Sequence, residues 1–257
     1  MGGTLSSSSV PSVPSVLSVL SVLSVLSSLS SLSSPALQPG DPDRLYADRE
    51  QLDSAQRAAD LWEARLARDA RDFEAAWKLA RACYWIGGHV PATDRRRQYE
   101  RGVDAGKRAV TIEAQRPEGH FWMAANMGAL AESFGLRQGL RYRGAIRSEL
   151  EAVLKLDPAF QQGSADRALC RWYLKVPGLF GGSKTTAVQH LQRSLTYNPN
   201  STVSHFFLAE TFAAMDRRVD ARAELLKVLD APMDPDWAPE DREFKQKAKA
   251  MLDNLNQ

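Results

Sequence analysis

The first 43 residues contain no lysine, arginine or histidine, and their only acids are Asp41 and Asp43. All 33 basic residues of the 257-residue chain therefore lie beyond that stretch. An excess of one charge sign is also missing. The 33 basic and 31 acidic residues leave a net charge of +2, so the chain as a whole is not a nucleic-acid footprint. Cysteine is scarce: Cys83 and Cys170 are the only two, too few for a disulfide framework or a thiolate metal site. Both fall in apolar helical patterns and read as small buried hydrophobes. The four histidines, His89, His120, His190 and His205, are never at metal-ligand spacing. There is no His-Glu-x-x-His, no Gly-x-Ser-x-Gly elbow and no Cys–His pairing signal. No stretch alternates as a strand. These absences point away from an enzyme, and no metal or cofactor is called for.

What is present divides at about residue 40. From Ser6 to Ser33 a serine recurs every third position, with Val-Leu pairs in most of the gaps. A helix needs a period near 3.6, so this stripe would wind around a helix rather than mark a face. Residues 1–40 read as a low-complexity leader. Two readings stand. One is an export signal with Val16–Leu26 as its apolar core and Ser34 and Ala36 at the cleavage spacing, although it lacks the usual basic start. The other is a disordered leader, or a start codon placed too far upstream. The protein is exported to the periplasm on the first reading and cytoplasmic on the second. The run is too short and too rich in serine for a stable membrane span.

Residues 41–257 read as one helical domain. Apolar residues recur at i, i+3, i+4 and i+7 between Pro and Gly punctuation. The pattern predicts helices at 44–69, 73–87, 95–115, 118–134, 143–156, 161–175, 184–197, 202–215, 218–230 and 239–254. Three segments align: Trp77-Lys-Leu-Ala80, Phe121-Trp-Met-Ala124 and Phe206-Phe-Leu-Ala209, with Asp166-Arg-Ala168 a weaker fourth. Ala109, Val153, Ser194 and Val228 are the matching small positions on the second helices. From 109 to 124, 153 to 168 and 194 to 209 the interval is always 15 residues. That is the inter-repeat spacing of a tetratricopeptide repeat, and Pro158 and Pro199 stop the second helices where such a repeat requires it. The predicted fold is all-α, an α-α superhelix of about four repeats with flanking helices. The last repeat has the standard 19-residue interval from Ala209 to Val228, whereas the first three run to 29, 29 and 26. This surplus predicts three enlarged turns on one edge, Gly87–Arg96, Gly135–Gly144 and Val176–Ser183. The second of these has no acid, and Arg95, Arg96 and Arg97 mark the first, so the shared edge reads as basic.

Gly119-His-Phe-Trp-Met-Ala-Ala-Asn126, Leu156-Asp-Pro-Ala-Phe160 and above all Leu174-Lys-Val-Pro-Gly-Leu-Phe-Gly-Gly-Ser-Lys184 resemble a bacterial family of divergent tetratricopeptide proteins. That family includes the T component of tripartite ATP-independent periplasmic transporters. The likeness covers roughly 45–230. It implies a helical scaffold without enzymatic activity, usually exported. The transporter-linked members associate with solute-binding proteins and form oligomers, so the resemblance implies a protein partner and a homo-oligomer. The lipoprotein cysteine of some members is absent near the start.

Gly178-Leu-Phe-Gly-Gly-Ser-Lys184-Thr185 has a nucleotide-loop flavour. A phosphate loop needs Gly where Ser183 stands, and it follows a strand rather than a helix. The bland reading is a glycine turn, with Gly181 and Gly182 at positive φ and Ser183 capping the next helix. The inner faces of first helices usually carry ligand in such arrays. By periodicity Trp77, Arg81, Trp85, Phe121, Ala125, Phe206 and Glu210 are the candidate binding residues for a protein, peptide or small ligand, with Asn126 and Trp172 as contributing neighbours. Arg137, Arg141, Phe180 and Lys184 join them from the enlarged turns. An aromatic stripe at helical spacing is more often the mark of core packing.

Overall fold

The computed structural model describes residues 40–255, apart from the side chains of residues 136–138. The leader expected over residues 1–40 thus lies, up to residue 39, outside the described residues.

Eleven α-helices follow in order: α1 (Pro42–Ala47), α2 (Leu52–Arg68), α3 (Phe73–His89), α4 (Ala92–Ile112), α5 (Pro117–Ser133), α6 (Leu136–Leu156), α7 (Phe160–Lys175), α8 (Lys184–Tyr197), α9 (Thr202–Ala213), α10 (Arg218–Asp230) and α11 (Ala238–Leu255). There is no strand among the described residues. Helices α3 to α10 form four antiparallel hairpins, each packed on the next, with α1–α2 before them and α11 after. The architecture is the α-α superhelix.

Local chemistry sets the helix starts. Asp72 accepts the backbone N–H of Ala75 at 2.9 Å and so caps α3, while Arg65 of α2 grips the same carboxylate at 2.8 Å. Ser183 and Ser201 cap α8 and α9 by accepting from Thr186 N and Ser204 N. Each cap is worth about 1 kcal/mol. The aligned positions meet in the interior. Ala80, Ala124 and Ala209 on first helices and Ala109, Val153, Ser194 and Val228 on second helices are buried, whereas Ala168 is half-buried. His120 and His205 tie first helix to second, each with Nδ1 at 2.5 Å from a carboxylate, Glu149 and Glu224 respectively. The α7–α8 hairpin inverts this arrangement, with Asp166 on the first helix and His190 on the second, 2.6 Å apart.

Four expectations are corrected. The helix expected over 44–69 breaks into α1 and α2, because Trp85 Nε1 donates to the Arg49 carbonyl at 2.8 Å and takes that oxygen out of any helical ladder. Second, the first two enlarged turns are helical. The surplus residues lengthen α3, α4 and α6, leaving Val90–Pro91 and Phe134–Gly135 as the connections. Glycines inside those helices make room: a Cβ on Gly87 would lie 2.3 Å from the Tyr99 ring. Only Val176–Ser183 is a turn of its own, with a 3-10 turn at Gly178–Phe180. Third, within that turn Gly181 has φ +101° but Gly182 is not at positive φ. Gly182 is glycine because a Cβ there would sit 1.7 Å from the Val176 carbonyl oxygen. Fourth, the start of α7 is not helical in its dihedrals. Gln161, Gln162 and Gly163 are left-handed, at φ 45°, 58° and 78°. Arg167 holds that backbone, donating to the carbonyls of Gln162 and Gln161 at 2.6 and 2.8 Å. No described helix is long and apolar enough to cross a membrane.

Candidate functional site

The inner helices α3, α5, α7 and α9 line one concave cavity of about 1170 Å³, completed by Tyr46 of α1 at one end and by Trp237, Phe244 and Lys247 in and before α11 at the other. That exceeds the roughly 300–1,000 Å³ of ordinary small-molecule sites. Aromatic side chains run along it: Tyr84, Trp85, Trp122, Phe121, Trp172, Phe206 and Phe207. Several are fixed by their polar tips or by ring contacts. Trp172 Nε1 donates to the Arg143 carbonyl at 2.7 Å, and Phe206 packs on Phe244 with ring centroids 5.3 Å apart. Trp85 and Trp172 thus direct their indole N–H groups into the scaffold, whereas the buried Trp122 Nε1 has no partner.

The ionisable groups are unevenly satisfied. Arg171, mid-wall on α7, is held between Glu132 of α5 and Glu210 of α9 and lies over the Phe207 ring. Burial alone would lower its guanidinium, but the two carboxylates outweigh that and raise it above the ordinary value. Arg167, one turn earlier on the same face, has only backbone carbonyls as acceptors, and burial pushes it down to about 10. Burial likewise pushes the Tyr46 hydroxyl up to about 12, against the pull of Arg81 and Arg49. Among the described residues no group of histidine, cysteine and carboxylate side chains is placed to hold a metal. Burial also pushes both cysteine thiols up to about 12, so neither is set up as a thiolate nucleophile.

The cavity brings together Trp85, Phe121, Ala125, Trp172, Phe206 and Glu210 of the residues singled out from sequence. The others lie elsewhere. Arg81 stacks over Tyr46 and Trp77 with its charge near Asp43. Trp77 packs against the core. Asn126 is fully buried and donates to the carbonyls of Ala80 and Trp122 at 2.9 and 2.8 Å, which staples α5 to α3. Arg141 and Phe180 are exposed, and Lys184 donates to the Ala214 carbonyl beside a smaller recess. The Arg137 side chain lies outside the described residues. Sequence reasoning missed Tyr46, Arg167, Arg171, Phe207 and the α11 residues. The 167, 171, 175 spacing of cations on α7 was the signal available for part of that set.

The sequence pattern of a known family, the regulators of microtubule dynamics protein 1-3, matches residues 41–256. The chain belongs to this family. No curated protein matches it in sequence. Among solved structures, this regulator-family chain is similar to TTC0263, a thermophilic TPR protein of Thermus thermophilus. The TM-score is 0.63 at 21% identity, covering 84% of this chain and 99% of that one. MamA aligns with a TM-score of 0.48 at 14% identity, over 78% of this chain and 95% of its own. The likeness to TTC0263 establishes the fold of the regulator-family chain as a divergent tetratricopeptide-type helical repeat.

Proposed function

We propose that the protein is a non-catalytic repeat scaffold that holds a segment of a protein partner in its concave cavity. The observation that carries this reading is the continuous aromatic wall from Tyr46 to Phe244 around a space large enough for a peptide. Gly128 of α5 provides a clean test, because it lines the cavity and a Cβ there meets nothing within 4 Å. Gly128→Trp should project a bulky ring into the middle of the cavity, obstructing a segment laid along it, and leave the fold intact. The tagged full chain is cross-linked in its native cell, and what it captures is compared with the capture by Gly128→Trp. Loss of the captured protein from the variant, with an unchanged melting curve, supports the reading. Equal capture by both sinks it.

Family membership favours a narrower reading, in which the partner belongs to the microtubule system named in the family's description. Co-sedimentation with assembled microtubules tests it, and a chain left wholly in the supernatant removes it. The transporter-accessory role implied by the Leu174–Lys184 resemblance requires a solute-binding protein in the captured fraction, and any other partner excludes that role.

A further inference from the structure

Helix α7 presents Arg167, Arg171 and Lys175 at i, i+4 and i+8, a cationic stripe across the floor of the cavity. Like charges at this spacing repel, so a stripe of this kind needs acids. The neighbouring inner helices supply them to the middle rung alone, as Glu132 and Glu210 close on Arg171. Arg167 and Lys175 make no direct ion pair among the described residues, and the Asp166 charge beside Arg167 does not offset the cost of its burial. Arg95 and Arg143 likewise make none among the described residues; they line the cavity from α4 and α6 on the edge where the two helices of a repeat meet. Of the other acids of the wall, Glu240 is paired with Arg49 and Glu243 with Lys247. Asp241 and Asp234 keep their charge but have their oxygens occupied by neutral donors, the Thr202 hydroxyl and Asp234 N–H for Asp241 and the Gln162 amide for Asp234. On the same wall two buried polar atoms lack partners: Trp122 Nε1 has no acceptor, and Gln161 Oε1 has no donor, a role that a peptide N–H would serve. An uncompensated cation in a recess costs free energy that an arriving anion recovers.

Resting on the scaffold reading above, we propose that the partner segment is an acidic peptide with apolar side chains. Its carboxylates are taken by Arg167, Lys175 and Arg143, and its apolar groups lie on Trp172, Phe206 and Phe207. A flat anionic bilayer does not fit, because Arg167 lies on the floor of a concave wall.

The experiment selects binders from a random peptide library displayed on phage, using the full chain as bait, and measures them by fluorescence anisotropy. Selected peptides should be enriched in Asp and Glu beside Phe, Leu or Trp, and should weaken as salt rises. Arg167→Gln should weaken binding by about tenfold or more, and the exposed Lys175→Gln by about two- to fivefold. The second variant keeps the test decisive if the first fails to fold. Peptides blocked by Gly128→Trp but lacking acidic enrichment overturn the acidic-peptide inference and leave the scaffold reading standing. Binding to vesicles of phosphatidylserine and phosphatidylcholine, with no peptide selected, overturns both.

Discussion

At position 205 a histidine offers both ring nitrogens to oxygen: Nδ1 lies 2.5 Å from Glu224 Oε2, and Nε2 lies 2.8 Å from the Pro199 carbonyl. His120 repeats the arrangement with Glu149 at 2.5 Å and the Ala114 carbonyl at 3.0 Å. One side chain thus joins the second helix of its own repeat to the turn that ended the previous one, which fixes both the hairpin and the stacking step. Burial opposes ionisation of Glu224, but hydrogen bonds from His205 and Lys227 outweigh it and hold the carboxyl below its ordinary value of 4.5. A carboxyl depressed in the fold contributes stability that is present above 4.5 and lost as pH falls through its folded value. Glu224→Gln should therefore cost about 1–3 kcal/mol at neutral pH. The gap from the parent should narrow as pH drops below 4.5. Urea midpoints of both proteins across that window check this, and a gap that stays constant with pH would contradict it.

Between helices the limiting quantity is distance of approach, and glycine is used in two opposite ways. A Cβ on Gly106 of α4 would lie 2.7 Å from Met123 Cα on α5, whereas one on Gly128 would meet nothing. Alanine favours a helix over glycine by about 0.5–1 kcal/mol, so Gly128→Ala should stabilise by that much. Gly106→Ala should instead cost about 1–3 kcal/mol, because backbone atoms cannot step aside as a flexible side chain can. Denaturant midpoints of the two variants should move in opposite directions, and equal gains in both would show that α4 and α5 do not pack this closely. The same glycines explain what the sequence hid. Ala80, Ala109, Ala124, Val153 and Val228 are each sealed between helices, and the constant 15-residue step from one repeat to the next, as from Ala109 to Ala124, let the repeat register be read directly. Gly87, Gly139 and Gly144 look like turn residues, yet all three lie inside helices; the Tyr99 ring requires glycine at Gly87, whereas nothing crowds Gly139 or Gly144. Arg81 has the periodicity of a groove residue and Asn126 adjoins one, but whether a polar side chain faces a ligand or the scaffold depends on partners 38 or 46 positions away, the Asp43 carboxylate and the Ala80 carbonyl.

Across the whole helical unit, the last helix meets the first turn. Arg49, almost fully buried between the rings of Tyr46 and Trp85, pairs with Glu240 and reaches the Asp236 carbonyl, and Arg242 grips Glu50 at the surface. No periodicity predicts this closure, because it depends on curvature accumulated over four repeats. The exposed Arg242–Glu50 pair adds little stability. The inner pair is different. Burial holds the Glu240 carboxyl above its ordinary value even with Arg49 against it, so the pair specifies where the ends meet more than it adds net stability. Glu240→Gln leaves a buried guanidinium without its charge partner and should cost about 3–5 kcal/mol. Replacing both as Arg49→Met with Glu240→Leu should recover most of that loss. Small-angle X-ray scattering then separates two causes of the curvature. If repeat packing alone sets it, the double variant keeps the parent's radius of gyration. If the ion pair draws the ends together, the double variant is as stable as the parent but more open, and the cavity it encloses should lose affinity for any peptide that spans Tyr46 to Phe244.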